Sequence, residues 1–368
     1  MKIAFAVQGE GRGHMTQALA LRDWCRRRGH AVVAVMAGAH RNRSWPDFFE
    51  RGFEVPVTPL QSPGFVYRAQ RRVNLPATLW QLVSRMGLYR ASLRRMNAVL
   101  EETKPDLLVN FLEPLVGWHY RRGGVRVPVL AVGHQYMLSH PSYPRLSTKR
   151  PAQWGLRRFV SATGGATLRY ALSFYDATPV DDRTVVGPPL LRDELLHMDG
   201  RANHGHVLVY LLNAGYLPEL MAWQLRYGAA ALHVFCERPG APEEESLGNG
   251  VMVHRLHAEK FIRMMSTARA VVCSAGFESL SEAAWLGKPA LGVPVEGHIE
   301  QMLNVLDLER TGLGRAASRF DLSQLDELKV GVAHGRFQEW VRQSDARLEQ
   351  AISRLLSPER ADMMTSQA

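Results

Sequence analysis

The sequence predicts an α/β fold of two Rossmann-like domains facing each other across a cleft, with a long C-terminal helix. Three observations carry this. Short apolar runs alternate with amphipathic stretches in the first half, the pattern of a parallel sheet covered by helices on both faces. The alternation restarts near residue 206, in different residues. A chain of 368 residues is also long for a single core.

In order along the chain, residues 3–7, 31–36, 107–111 and 127–132 are apolar runs of strand length. Residues 16–28, 79–102 and 115–121 place apolar side chains at helical spacing. Pro105-Asp106 is a turn entering the strand at 107. After 206, "HVLVYL", "ALHVFC", "VMVHRL", "AVVCSA" and "PALGVP" are five strands, separated by helices such as 217–227 and 278–286. "VVGPPLLRDEL" (185–195) reads as the connection between halves. The expected division is 1–184, 185–334 and 335–368. The last part is one amphipathic helix to about 356, packing back towards the N-terminal domain, and a frayed tail.

Composition narrows the class. No apolar run approaches the ~18–20 residues of a membrane span. The N-terminus lacks a signal peptide's apolar segment and cleavage site. Cys25, Cys236 and Cys273 are widely spaced, which suits a reducing compartment and gives no zinc pattern. The expected location is the cytoplasm. A net charge of +10 comes largely from arginines at 68–95 and 149–158. Nucleic acid, anionic lipid or a phosphorylated substrate would each explain it, as would a solvated basic face. Leu79, Trp80, Leu82, Val83, Met86 and Leu88 lie between the arginines, a mixture expected of an interfacial helix and equally of a helix with one face in a core. The basic residues are not interleaved with aromatics on a recognisable nucleic-acid fold, so no nucleic acid is expected.

Two stretches carry chemistry. The first is "QGEGRGHMTQALAL" (8–21), directly after the first strand. A dinucleotide fingerprint needs glycine where His14 stands, and an acidic residue closing the second strand, which here ends Val35-Met36-Ala37-Gly38. What remains is either a tight turn or a loop that brings backbone close to a ligand and sets an imidazole at a helix N-terminus. There the helix field disfavours the imidazolium, keeping His14 neutral and able to take a proton.

The second stretch is "CSAGFESLSEAAWLGKPALGVPVEGHIEQMLN" (273–304). Gly276 and the N–H groups of the following helix suit a phosphate. Ser279 and Glu282 lie one turn apart, and a carboxylate at 282 suits the two hydroxyls of a ribose. Gln301 and Asn304 share a helix face and suit sugar hydroxyls. Capping alone would explain Ser or Glu at any one of these helix starts. The ordered set is more specific.

Ser274-x-Gly276-x-x-Ser279-x-x-Glu282, then Gly287-x-Pro289, Pro294, Glu300-Gln301 and Asn304, resembles the nucleotide-sugar signature of inverting GT-B glycosyltransferases. The MurG-type N-acetylglucosaminyltransferases, diacylglycerol galactosyltransferases and UDP-glucuronosyltransferases share it. The front loop is similar to the glycine–histidine loop opening those enzymes, and looks closest to a bacterial "glycosyl transferase family 1-like" group. The resemblance implies a GT-B fold and a hexosyltransferase that takes a nucleotide sugar, most often a UDP-sugar, as cosubstrate with no further cofactor. By position it implies Glu282 on the ribose, Gly276 and Ser279 by the diphosphate, and Glu300 and Gln301 on the sugar. It further implies Leu256 and His257 at the base, and Asn213 to Gly215 at a second phosphate-facing turn. Ser274 belongs to the same donor set. Relatives often carry Asp-Gln or Gln-Gln for Glu300-Gln301 and a glycine-rich turn for Asn213-Ala214-Gly215, so sugar and base stay open.

For the mechanism, His14 is the expected base, with Gly11 and Gly13 on the acceptor side. Glu113, just after the strand at 107–111, orients it or acts instead; His134 is a second acceptor-side candidate. Each of these two has a plain structural reading beside the functional one. The chain contains no D-x-D motif, which argues against a metal-dependent GT-A enzyme, and Ser274 stands where retaining GT-B enzymes carry the first of two glutamates. No metal is expected. The arginine-rich segment and the MurG-like pattern suggest a lipid-linked acceptor and a peripheral place at an anionic membrane face, against a soluble small acceptor. The rival readings are a UDP-N-acetylglucosamine 2-epimerase-like enzyme and a non-catalytic nucleotide-sugar or nucleic-acid binding protein.

Overall fold

The computed structural model describes residues 1–9, 11–39, 45–64, 67–68, 72–73, 75–228 and 230–357. The chain forms two compact units, Met1–Arg192 with Arg342–Ala368, and Asp193–Val341. In the first, β1 (Lys2–Val7), β2 (Ala31–Ala39) and β3 (Val57–Gln61) precede a separate antiparallel pair, β4 (Tyr67–Arg68) and β5 (Arg72–Val73). Then come β6 (Leu107–Phe111), β7 (Val129–Gly133), β8 (Leu168–Leu172) and β9 (Thr184–Gly187). The main sheet runs β3-β2-β1-β6-β7-β8-β9, parallel throughout. Its central strands are apolar on both faces because helices cover both, as a parallel sheet requires.

The second unit repeats the plan with β10 (Val207–Leu211), β11 (Leu232–Cys236), β12 (Glu244–Gly248), β13 (Val251–His254), β14 (Ala270–Cys273), β15 (Ala290–Gly292) and β16 (Arg315–Ala316). The order is β12-β13-β11-β10-β14-β15-β16, with β12 antiparallel at the edge. In both sheets the strand order reverses beside the first strand, at β1/β6 and at β10/β14. Ligands of such sheets bind outside the carboxyl ends at that point. The topology therefore selects the loops that follow β1, β6, β10 and β14.

Three expectations need correction. The region 79–102 is two helices, Leu75–Ser84 and Met86–Thr103, parted at Arg85, whose φ of −102° and ψ of 12° leave the helix. The long C-terminal helix is likewise two, Val332–Val341 and Ser344–Leu355. The second belongs to the first unit, burying Leu348, Ala351, Ile352 and Leu355 against β8 and β9. Arg28 pairs with Glu349 at 2.9 Å and Arg347 with Asp176 at 2.7 Å along its rim. Finally, Thr184–Gly187 is an edge strand, so a boundary after 184 falls inside the first sheet. The tail after 357 lies outside the described residues.

One contact fixes how the first loop leaves the sheet. A Cβ on Gly9 would stand 1.8 Å from the Gly38 carbonyl oxygen at the end of β2. Glycine is needed there for approach, not for turning. We expect Gly9→Ala to cost about 2 kcal/mol or more and lower the melting midpoint by several degrees, read by calorimetry.

Candidate active site

At the carboxyl edge of the first sheet, the chain turns through Gly11 at φ 86° and starts the helix Gly13–Arg27. Arg12 caps it without a side-chain bond, and Thr16 N–H makes the first backbone bond, to the Arg12 carbonyl at 3.0 Å. The N–H groups of Gly13, His14 and Met15 therefore head the helix, and no acidic residue lies in its first turn. His14 is half-buried, with Nδ1 3.2 Å from Gln17 Oε1.

Glu113 is at the same edge. It is 0 % exposed. Oε1 accepts the Ser62 hydroxyl at 2.6 Å and the Leu115 N–H at 3.2 Å, so the carboxylate caps the helix Pro114–Tyr120 and ties it to the end of β3. Through these bonds Glu113 braces three strand ends, since Gly38 also packs close to its Oε2. For His134 the acceptor-side reading is corrected. Nδ1–H donates to the Leu172 carbonyl at 2.7 Å, and Nε2 accepts from the Tyr143 hydroxyl at 3.1 Å. Buried with both nitrogens engaged, His134 ties β7 to β8 and does not face an acceptor.

In the second unit, the residues expected to bind the donor gather at the carboxyl edge through a set of internal bonds. Leu212 N–H donates to Ser274 Oγ at 3.0 Å, joining the exits of β10 and β14. Asn304 Nδ2 donates to the Ala275 carbonyl at 3.2 Å. Gln301 Oε1 accepts Val295 N–H at 2.8 Å, and Glu296 N–H donates to the Tyr216 hydroxyl at 3.2 Å. Ser274, Gln301 and Asn304 are buried, so these side chains hold the turns that a ligand would meet. Asn213 accepts the Gly215 N–H at 2.8 Å, closing a turn in which Gly215 is exposed.

Gly276 is different. It caps the helix Phe277–Trp285 at an ordinary φ of −71°, and a Cβ there would meet nothing within 4 Å. Folding does not require glycine at this point; room beside the helix start is what it provides. Its N–H and that of Ala275 lie against the buried Cys273 thiol, which burial pushes up to about 12 while these amides pull it down. Glu282 is 3 % exposed and close enough to the thiol to oppose its ionisation. Ser279 and Glu300 are half-buried in the first turns of their helices.

Leu256 and His257 follow β13. His257 is exposed and caps the helix Ala258–Thr267, its Nδ1 accepting Lys260 N–H at 3.3 Å. Beneath it, Lys260 Nζ donates to His254 Nδ1 at 2.8 Å and pairs with Glu244. His254 Nε2 then meets His233 Nδ1 at 2.8 Å. Burial, followed by the Lys260 charge, pushes His254 down to about 4. Sequence reasoning missed this chain, along with Gln17, Ser62 and Tyr216. The i, i+3 spacing of His14 and Gln17 was the one available signal.

In both units the exit from the strand beside the first one passes through a left-handed residue with a side chain, Leu112 at φ 56° and Ala275 at φ 51°. Each is followed at once by a helix cap, Glu113 or Gly276.

The profile of glycosyl transferase family 1 matches residues 1–332. The chain belongs to that family. It is 26% identical over 349 residues to the UDP-N-acetylglucosamine–N-acetylmuramyl-(pentapeptide) pyrophosphoryl-undecaprenol N-acetylglucosamine transferase of Nocardia farcinica, covering 87% of this chain and 84% of that one. An uncharacterized glycosyltransferase of Methanopyrus kandleri is 29% identical over 162 residues, 40% of this chain and 46% of that one. Among solved structures, a UDP-glucosyltransferase from Polygonum tinctorium superposes with TM-score 0.63 at 14% identity over 97% of this chain and 98% of that one. LpCGTa, solved in complex with UDP, gives 0.62 at 16% identity over 97% and 99%. The fold of this transferase is GT-B.

Burial of His134 makes its ring a pH sensor for folding. Its pKa, pushed down to about 4, lies below the unfolded value near 6.5, so protons favour the unfolded chain between those pH values. Stability conferred by the neutral ring is complete above pH 6.5 and is lost as pH falls towards 4. At pH 5 the loss reaches up to about 2 kcal/mol. Denaturant midpoints measured from pH 7 to pH 5 should fall, and fall less in a folded His134→Asn protein.

Proposed function

We propose that this transferase moves a hexose from a UDP-sugar to an acceptor hydroxyl, with inversion and without a metal ion. The observation that carries the donor side is Gly276, an unforced glycine beside open space at a helix start, on the edge that the topology selects for ligands. The Nocardia farcinica relative, named for a UDP-sugar, and a structural neighbour solved with UDP support the choice of base. In this reading Gly276 and Ser279 face the diphosphate, Leu256 and His257 the base, and Glu300 with the turn held by Gln301 the sugar. Glu282, 3 % exposed, is the carboxylate assigned to the ribose.

In the transfer step, an acceptor hydroxyl gives its proton to His14 as its oxygen bonds the anomeric carbon. The bond to the diphosphate oxygen breaks, and its electron pair leaves with UDP. Helix-start N–H groups offset that charge, because they are oriented before the reaction begins. His14→Ala should lower turnover at least about 100-fold while donor binding persists. A panel of nucleotides read by thermal shift tests the donor: UDP or a UDP-sugar should raise the melting midpoint, and NAD and ADP should not. Gly276→Ala should weaken that response about tenfold or more in affinity while leaving the midpoint of the ligand-free protein unchanged. No response to any uridine nucleotide overturns the reading; consumption of a UDP-sugar without acceptor, yielding its epimer, favours the epimerase.

On the acceptor side, we infer a lipid-linked substrate reached at an anionic membrane surface. No described helix is long and apolar enough to cross a bilayer. Trp80 and Val83 are 73 % and 61 % exposed, with Met86 and Leu88 beside them. Arg90, Arg94 and Arg95 are exposed on the next helix. A second exposed tryptophan, Trp154, lies under the Arg158 guanidinium on the helix Arg150–Thr163. Apolar side chains among cations suit the headgroup boundary. The arginine segment's residues 69–71 and 74 lie outside the described residues. Vesicles of phosphatidylglycerol should carry the protein in flotation at low salt, with each of Arg90→Ala and Arg94→Ala weakening binding about fivefold. A protein left in the soluble fraction rejects the membrane reading.

A further inference from the structure

We infer that Gln17 is a positioning residue that decides which nitrogen of His14 takes the acceptor's proton. The inference rests on His14 being the base and deepens that reading. His14 and Gln17 lie one turn apart on one face of the helix Gly13–Arg27. Side chains on a helix lean towards its N-terminus, so the Gln17 carboxamide reaches back to the imidazole. Its oxygen stands 3.2 Å from His14 Nδ1. Gln17 itself is buried, and its backbone sits inside a helix whose next turn is core, so the amide is held in place.

A carboxamide oxygen only accepts hydrogen bonds. The hydrogen between the two residues must therefore sit on Nδ1. A neutral imidazole with its proton on Nδ1 carries its lone pair on Nε2. The contact thus orients the ring and makes Nε2 the basic atom. An amide does this without charge. A carboxylate in the same place would stabilise the imidazolium, and more of the base would already be protonated at neutral pH.

Nitrogen-15 spectra of protein labelled at histidine, correlated to the ring carbon-bound protons, read the tautomer directly. A His14→Ala protein identifies the His14 signals. The expected result at pH 8 is a protonated Nδ1 and an unprotonated Nε2 in the native protein. Gln17→Leu should move the ring towards the Nε2–H form. Gln17→Glu should raise the His14 pKa by about 1–2 pH units, moving the acid limb of the pH–rate profile upward by as much. A native ring protonated on Nε2, or a His14 pKa unmoved in Gln17→Glu, overturns the assignment. If the buried substitutions prevent folding, the native spectrum alone decides. His14→Ala that keeps full turnover on the nucleotide sugar it consumes would remove the base role and leave the tautomer assignment standing, so the two failures are told apart.

Discussion

The carboxyl edges of both sheets depend on how the chain leaves the strand next to each sheet's first strand. Leu112 and Ala275 sit in the left-handed region, which costs a side-chain-bearing residue about 1–2 kcal/mol each. Such conformations persist where the surroundings dictate them. At Leu112, the Asn110 side chain accepts the Glu113 N–H at 2.8 Å while Glu113 caps the helix that follows. At Ala275, Asn304 holds the carbonyl and Ser274 is bound on both sides of its hydroxyl. The strained turn is what aims a helix start outward from each sheet.

Among the residues of the C-terminal motif, two groups stand apart. Ser274, Gln301 and Asn304 bond to backbone and are buried; they shape the turns. Gly276, Ser279 and Glu300 are more accessible and border the space that those turns leave. A buried polar group needs partners, and here the partners are backbone atoms of neighbouring loops, so the same bonds that satisfy the side chains also fix loop spacing.

Much of the fold was legible because fully buried parallel strands are continuous apolar runs. Residues 107–111 and 217–227 match the observed elements to the residue. What escaped was physically less marked. β3 contains Pro59 near an edge, β9 is a short run merging into Pro188-Pro189, and β12 is a charged edge strand, Glu-Glu-Ser-Leu-Gly. The helix break after Val341 has no proline or glycine to announce it, and at Arg85 the one sign is Gly87, inside the next helix. At the carboxyl edges, the motifs marked the turns but not the orientation of side chains within them. Glu113 and His134 both follow strands at the carboxyl edge, and only tertiary neighbours such as Ser62 and Tyr143 show that they brace it from within. The His254–Lys260 contact joins residues on a strand and a helix, and periodicity carries no information about it.

The placement of Ser344–Leu355 has a consequence for biosynthesis. The first unit is discontinuous in the chain: its closing helix is made after the whole of Asp193–Val341. During translation at about 5–20 residues per second, the ribosome leaves β8 and β9 without that cover for on the order of ten seconds or more. The second unit, continuous in sequence, has all its parts before the first one does. The domain begun earliest is thus finished last, and a stalled or shortened nascent chain would expose the apolar surface meant for Leu348, Ile352 and Leu355.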